Sequence, residues 1–216
     1  QSKDWEKYCS DLNKICNANY IIAPSKERVF PQFYPLAEGD LTISRQIKGI
    51  FNNFDSIKFV DPVDLLSKHA NSYSKTDTHW TYYGAFLALR AIFGGNFDNR
   101  FEFYTSKALG DLGSKQYPFD ESDIMYVKQE VVDAPSITNF LLQDGLLSIF
   151  INEKACLNKT CVLFGDSYSR YFYPFLRKIY KRVVALRTAG TVIREVIDAE
   201  RPDVVLIERA ERFSIN

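Results

Sequence analysis

The stretch TCVLFGDSYSRYFYPFLRKIY, residues 160–180, reads as a strand, a tight turn and a helix. Thr160 to Phe164 is a short apolar run of the kind buried in a sheet, and Gly165-Asp166-Ser167 breaks it abruptly. Beyond the break, Tyr168, Tyr171, Phe172, Phe175, Leu176 and Ile179 recur at the offsets of one helical face. Pro174 fits best in a first helical turn, which moves the expected helix start from Tyr168 toward Phe172. A serine at such a turn is lifted clear of the sheet edge, beside the backbone N–H groups of a helix N-terminus. That position suits a nucleophile.

Working outward, the chain continues with an expected strand at 182–186, a helix at 191–200 and a strand at 203–207. Upstream, Trp5, Tyr8, Cys9, Leu12 and Cys16 form one apolar stripe of an amphipathic helix over 3–17, followed by a buried strand at 19–23. Residues 25–35 hold Pro31 and Pro35 and read as a loop. Helices are expected at 41–54, 62–69 and 80–93, and strands at 57–60, 125–132 and 147–151. Residues 94–122, rich in Gly, Asn, Asp and Tyr, read as an irregular insertion. Helices alternating with short apolar strands predict a single layered α/β domain over 1–216 with a mostly parallel sheet, whose ligands sit at the carboxyl ends of the strands.

At 216 residues with 46% hydrophobic side chains the chain can bury a full core. Lys+Arg 27 balance Asp+Glu 27, so no overall field recruits nucleic acid or an anionic membrane. No uninterrupted apolar run is long enough to span a bilayer, and the start at Gln1 reads as a cut-out or processed piece. Neither Cys9/Cys16 nor Cys156/Cys161 has the spacing of a zinc or thioredoxin motif, although Cys156 and Cys161 could close a small loop. No cofactor and no metal is expected.

The chain has two histidines, His69 and His79, so a histidine base is one of them. His79 follows Asp77 by two residues. In an extended segment that spacing lets the carboxylate reach the imidazole and fix its tautomer, leaving the other nitrogen to face a substrate. With Ser167 as nucleophile this makes an Asp–His–Ser triad, with the Ser167 N–H and a loop amide near Gly190 for the oxyanion. Each motif alone has a plainer reading, Gly-Asp-Ser as a common turn and Asp-x-His as a helix cap beside a satisfied histidine. Tyr168, Arg170 and Trp80 are candidate acceptor-site residues, Trp80 as a sugar platform or as core.

Asp77-Thr78-His79-Trp80 followed by Tyr83-Gly84, together with Gly165-Asp166-Ser167-Tyr168, resembles the SGNH-hydrolase-like domains of the alginate O-acetyltransferase group. In those domains the Asp-x-His motif precedes Gly-Asp-Ser, as here. Gly110-Asp111-Leu112 and the C-terminal 202–205 and 211–212 segments add to the likeness. The resemblance implies a three-layer, flavodoxin-like domain that transfers acetyl groups to hydroxyls of a bacterial polysaccharide through an acetyl-serine. It implies Ser167 as nucleophile, His79 as base and Asp77 as its orienting partner. It also implies a periplasmic or otherwise extracytoplasmic location and an acetyl donor supplied by a membrane-bound acyltransferase. A carbohydrate esterase with the same triad is the near alternative, and a non-catalytic glycan-binding domain is the alternative from another class.

Overall fold

The computed structural model describes residues 2–34, 43–94, 97, 101–115, 117–128, 136–138 and 147–214. In chain order the elements are α1 (Ser2–Asn13), β1 (Ala18–Ala23), α2 (Lys26–Val29), α3 (Ile43–Phe51), β2 (Ile57–Val60), α4 (Val63–Leu66), α5 (Tyr82–Phe93), β3 (Phe103–Leu109), β4 (Glu121–Val127), β5 (Ser136–Thr138), β6 (Leu147–Ile151), β7 (Leu157–Gly165), α6 (Tyr173–Ile179), β8 (Tyr180–Arg187), α7 (Arg194–Glu200) and β9 (Val204–Ala210). They fall into two compact units, the first of Gln1–Ala23, Glu38–Asp61 and Val132–Asn216, the second of Pro24–Ala37 and Pro62–Val131.

The first unit is built on a seven-stranded sheet in the order β2-β1-β9-β7-β8-β6-β5. Five strands run parallel, and β6 and β5 extend one side antiparallel. β7 is central, paired on both sides, and Cys161, Val162, Leu163 and Phe164 are fully buried. Burial of both faces explains why this strand reads as a continuous apolar run instead of an alternation.

Counted from the strand that ends in Gly165, with β7 first, β8 second, β9 third, β1 fourth and β2 fifth, the sheet order is 2-1-3-4-5. That is the flavodoxin-like order, entered at its fourth strand. The early strands of the chain are therefore the late strands of the standard fold, and the Gly-Asp-Ser turn falls in the last third of the sequence. β7 and β9, where the strand order reverses, flank the crevice in which open α/β sheets bind ligands.

The crossovers from β7 to β8 and from β8 to β9 leave in opposite directions across the sheet. Right-handed connections then carry α6 and α7 to opposite faces. On the α7 face, Ile197 packs with Cys9 and Leu12 of α1, Ile47 and Phe51 of α3, and Val162, Phe164, Val205 and Ile207 of the sheet. Tyr20 and Phe51 meet there with ring centroids 4.6 Å apart. On the other face α6 buries Phe175, Leu176 and Ile179. Full burial of each such side chain contributes about 1.5–3 kcal/mol, enough to hold three layers together.

The helix after the Gly-Asp-Ser turn begins late, as Pro174 predicts. Residues Ser169–Phe172 form a 3-10 turn, and α6 starts at Tyr173 with the proline in its first turn.

The second unit centres on α5, which opens with the Thr81 Oγ1 accepting the Gly84 N–H at 3.1 Å and buries Ala85, Phe86, Leu87, Ala88, Leu89 and Ile92. Its other regular piece corrects the expectation of an irregular insertion. Phe103–Leu109 is a strand, paired antiparallel with Glu121–Val127. Nearly all side chains of β3 are exposed or half-exposed, so it lacks the apolar alternation by which a strand is recognised. Residues 25–35 likewise carry the short α2 and a 3-10 turn at Pro31–Phe33. The ends expected at 41–42 and 129–132 lie outside the described residues. All four cysteines are free; Cys156 and Cys161 stand five residues apart, roughly 16 Å if the intervening chain is fully extended, too far for a bridge. No helix among the described residues is long and apolar enough to cross a membrane.

Candidate active site

In the second unit, residues 76–79 are pinned by the turn that follows β3. The Thr76 carbonyl accepts the N–H groups of Leu112 at 2.9 Å and Gly113 at 3.1 Å. Gly110 is required by this close approach, because a Cβ there would stand 2.0 Å from the Thr76 carbonyl oxygen. Asp111 then accepts the Thr78 N–H at 2.6 Å and the Thr78 hydroxyl at 2.5 Å.

Held in this way, Asp77 Oδ1 accepts the His79 backbone N–H at 2.8 Å and lies 2.9 Å from His79 Nδ1. The local device is an Asx turn closed by the carboxylate, tighter than the extended spacing the sequence suggests. With Nδ1 donating to Asp77, the imidazole's basic nitrogen is Nε2. Burial alone would raise the Asp77 carboxyl, but the hydrogen bonds from the His79 ring and backbone outweigh it and hold the group below its ordinary range. Lys26 lies on the same unit with Nζ donating to the Ser74 carbonyl at 2.7 Å. Its pKa is lowered by burial, with the charges of Asp77 and Asp111 opposing.

Asp77, His79 and Asp111 bring ligand-type atoms within 4.8 Å of one another. The Asp111 oxygens are taken by Thr78, and the imidazole donates to Asp77. The arrangement suits orienting a base better than gripping an ion.

In the first unit Ser167 sits one residue beyond Asp166, where the chain leaves β7. The turn is bound to the end of β9: Asp166 Oδ2 accepts the Ala210 N–H at 2.7 Å, and Glu208 Oε2 accepts the Asp166 N–H at 3.0 Å. Asp166 Oδ1 also accepts the Tyr168 N–H at 2.9 Å, and its carbonyl accepts the Ser169 hydroxyl at 2.7 Å. The amides on either side of Ser167 are thus committed to the turn. Gly165 must lack a side chain, since a Cβ there would lie 2.4 Å from Ser169 Cβ and 2.9 Å from Glu208 Oε2.

Gly190 belongs to the loop after β8, whose Thr188 and Ala189 N–H groups donate to the Gly165 carbonyl. It has a positive φ of 80°, and its carbonyl accepts the Tyr8 hydroxyl at 2.8 Å. This loop therefore abuts the base of the Ser167 turn.

The structure thus pairs Asp77 with His79 and sets Ser167 on the turn at the end of β7. Of the three candidate acceptor residues, two are buried. Trp80 is 1% exposed and belongs to the core at the start of α5, with no ring face left for a sugar. Tyr168 is 3% exposed, and the Arg212 guanidinium covers its ring at 5.6 Å. Arg170 is exposed, its guanidinium over the Tyr171 ring at 5.0 Å. His69 is half-buried with its Nδ1 3.3 Å from the Tyr83 hydroxyl. Roles for Asp111 and Glu208 were not assigned from sequence. Gly110-Asp111 signalled its turn but not its partner, and Glu208 gave no signal, because a charge after an apolar run reads as a strand end.

No family model and no curated protein matches this sequence. Solved structures do match its fold. PatB1 of Bacillus cereus, solved with a sulfonyl adduct, is similar at a TM-score of 0.73 and 13% identity, over 99% of this chain and 89% of that one. A DHHW family protein from Eubacterium siraeum gives 0.75 and 16%, over 99% and 86%. The O-acetyltransferase domain of Pseudomonas putida AlgJ gives 0.60 and 15%, over 99% and 82%. This chain has their fold. At such identities the likeness carries the α/β architecture and its permuted strand order, not the chemistry.

Proposed function

We propose that the chain is a serine O-acetyltransferase that transfers acetyl groups to hydroxyls of a bacterial polysaccharide. The observation that carries this reading is the locked Asp77–His79 pair, with Nδ1 2.9 Å from the carboxylate, in a chain whose Gly-Asp-Ser turn ends a central parallel strand. Its fold likeness to an O-acetyltransferase domain supports it. In this reading His79 Nε2 takes the Ser167 hydroxyl proton as Oγ attacks the acetyl carbonyl. The tetrahedral oxyanion, held by the Ser167 and Gly190 amides, collapses and expels the donor oxygen, which leaves with the proton from His79. A sugar hydroxyl then gives its proton to His79 as its oxygen attacks the acetyl-serine, and Ser167 departs with that proton. Arg170, exposed beside the turn, is the remaining candidate for the acceptor side. The acetyl donor is supplied by a membrane-bound acyltransferase, and the domain works outside the cytoplasm, in the periplasm or beyond.

Intact mass after exposure to an activated acetyl ester tests the reading. The expected result is one acetyl adduct on the wild type, abolished by Ser167→Ala and strongly slowed by His79→Ala. An adduct unchanged by Ser167→Ala overturns it. Partitioning of the adduct between water and added oligosaccharides separates transfer from the esterase alternative, and no adduct with retained oligosaccharide binding favours a non-catalytic glycan-binding domain.

A further inference from the structure

Glu208 is a fully buried carboxyl on β9, following the buried Val205, Leu206 and Ile207 in a strand that is otherwise apolar up to that point. Burying a carboxyl group with a polar atom left unpaired is costly, so its presence on a central strand calls for a use. Among the described residues its Oε1 has no hydrogen-bond partner, and Oε2 accepts the amide of Asp166, the residue immediately before Ser167. Glu208 also fills the space that glycine leaves open at 165. Asp166 in turn reaches back to the Ala210 amide, two residues beyond Glu208. The Ser167 turn is therefore clipped to β9 by two carboxyl groups, at the point where the strand order reverses.

We propose that Glu208 is a positioning residue for Ser167, holding the Asp166 amide and with it the tip of the nucleophile turn. Burial and the neighbouring Asp166 push the Glu208 carboxyl well above its ordinary range, which favours its neutral form at this position. A neutral amide in its place can accept the same N–H, whereas an aliphatic side chain cannot. This inference rests on the reading of Ser167 as the acylated residue.

The test compares Glu208→Gln and Glu208→Leu with the wild type in the rate of acetyl adduct formation at Ser167 from an activated ester, followed by intact mass over a range of ester concentrations. Glu208→Gln is expected to acylate within about twofold of wild type, and Glu208→Leu to fall about 10²-fold in kcat with KM for the ester little changed, the loss typical of a misplaced reacting group. Equal rates in all three overturn the positioning role while leaving Ser167 as nucleophile. Equal losses in both variants also overturn it, because they would mean the charge and not the accepted hydrogen bond matters. No adduct on the wild type overturns the reading of Ser167 and this inference with it. Should Glu208→Leu fail to fold, Glu208→Met takes its place as the variant without a carbonyl acceptor, and a Glu208→Met that acylates as fast as Glu208→Gln overturns the role.

Discussion

Asp77 Oδ1 accepts both the backbone N–H and the ring Nδ1–H of His79, at 2.8 and 2.9 Å. One oxygen thus closes the turn and fixes the tautomer. Asp77→Asn offers an amide that can present N–H to the ring and stabilise the wrong tautomer, so Ser167 acylation is expected to fall by up to about 10⁴-fold. Stopped-flow or intact-mass acylation rates check this, with circular dichroism confirming the fold. The same pair predicts an acid-side stability effect. Asp77 is held below its ordinary 3.8, so the stability it contributes is present above that value and lost as pH falls through the folded-state pKa. The stability advantage of wild type over Asp77→Asn therefore shrinks on acidification, read by urea unfolding at stepped pH.

Asp111 engages both the amide and the hydroxyl of Thr78, the residue between Asp77 and His79. Asp111→Ala removes the acceptor of both hydrogen bonds at once. The expected cost is about 1–3 kcal/mol of unfolding free energy, together with slower acylation as the Asp-x-His turn loosens. Thr78→Val should reproduce part of the kinetic loss. Acylation as fast as wild type in Asp111→Ala would show that the turn holds itself.

Trp80 is core, so Trp80→Ala is expected to lose about 3–5 kcal/mol, and Trp80→Phe much less. Oligosaccharide affinity of the phenylalanine variant should match wild type. A large affinity loss with unchanged stability would restore Trp80 as a sugar contact, against its burial.

These residues also show what the sequence could and could not reveal. β7 was legible because both its faces are buried, and the late start of α6 because Pro174 restricts where a helix begins. The Asp77–His79 pairing was legible because a separation of two residues fixes it locally. The side on which a neighbouring aromatic lies is a tertiary matter, so Trp80 and Tyr168, each one residue from a motif, look like site residues and are buried. β3 was hidden by its exposed side chains, and β9 was expected to end at Ile207, since a buried Glu208 contradicts the composition of ordinary strands. The partner that makes its burial tolerable is 42 positions away.

Gly165 has no room for a methyl group between Ser169 and Glu208. Gly165→Ala must push the turn off the end of β9, and acylation is expected to fall about 10²-fold. Pairing Gly165→Ala with Glu208→Leu in a double-mutant cycle should show non-additive losses, because the two positions act on the same amide.

The pH dependence of Glu208 runs opposite to that of Asp77. Its pKa is raised by burial and by Asp166, so the stability it contributes is fully present below its ordinary 4.5 and lost as pH rises through the raised folded-state value. The ionisable groups whose charges reach it are Asp166 from the turn, Tyr173 from α6 and Tyr20 from β1. Both phenols are themselves pushed up by burial, so they stay neutral while Glu208 titrates and leave Asp166 as the opposing charge. Wild type is therefore expected to lose stability relative to Glu208→Gln as pH rises above the ordinary carboxyl range, measured by urea unfolding of both proteins at stepped pH. A difference that stays constant across the range, or that grows in favour of wild type, would mean Glu208 is ionised in the folded protein and that the turn is held by a charge.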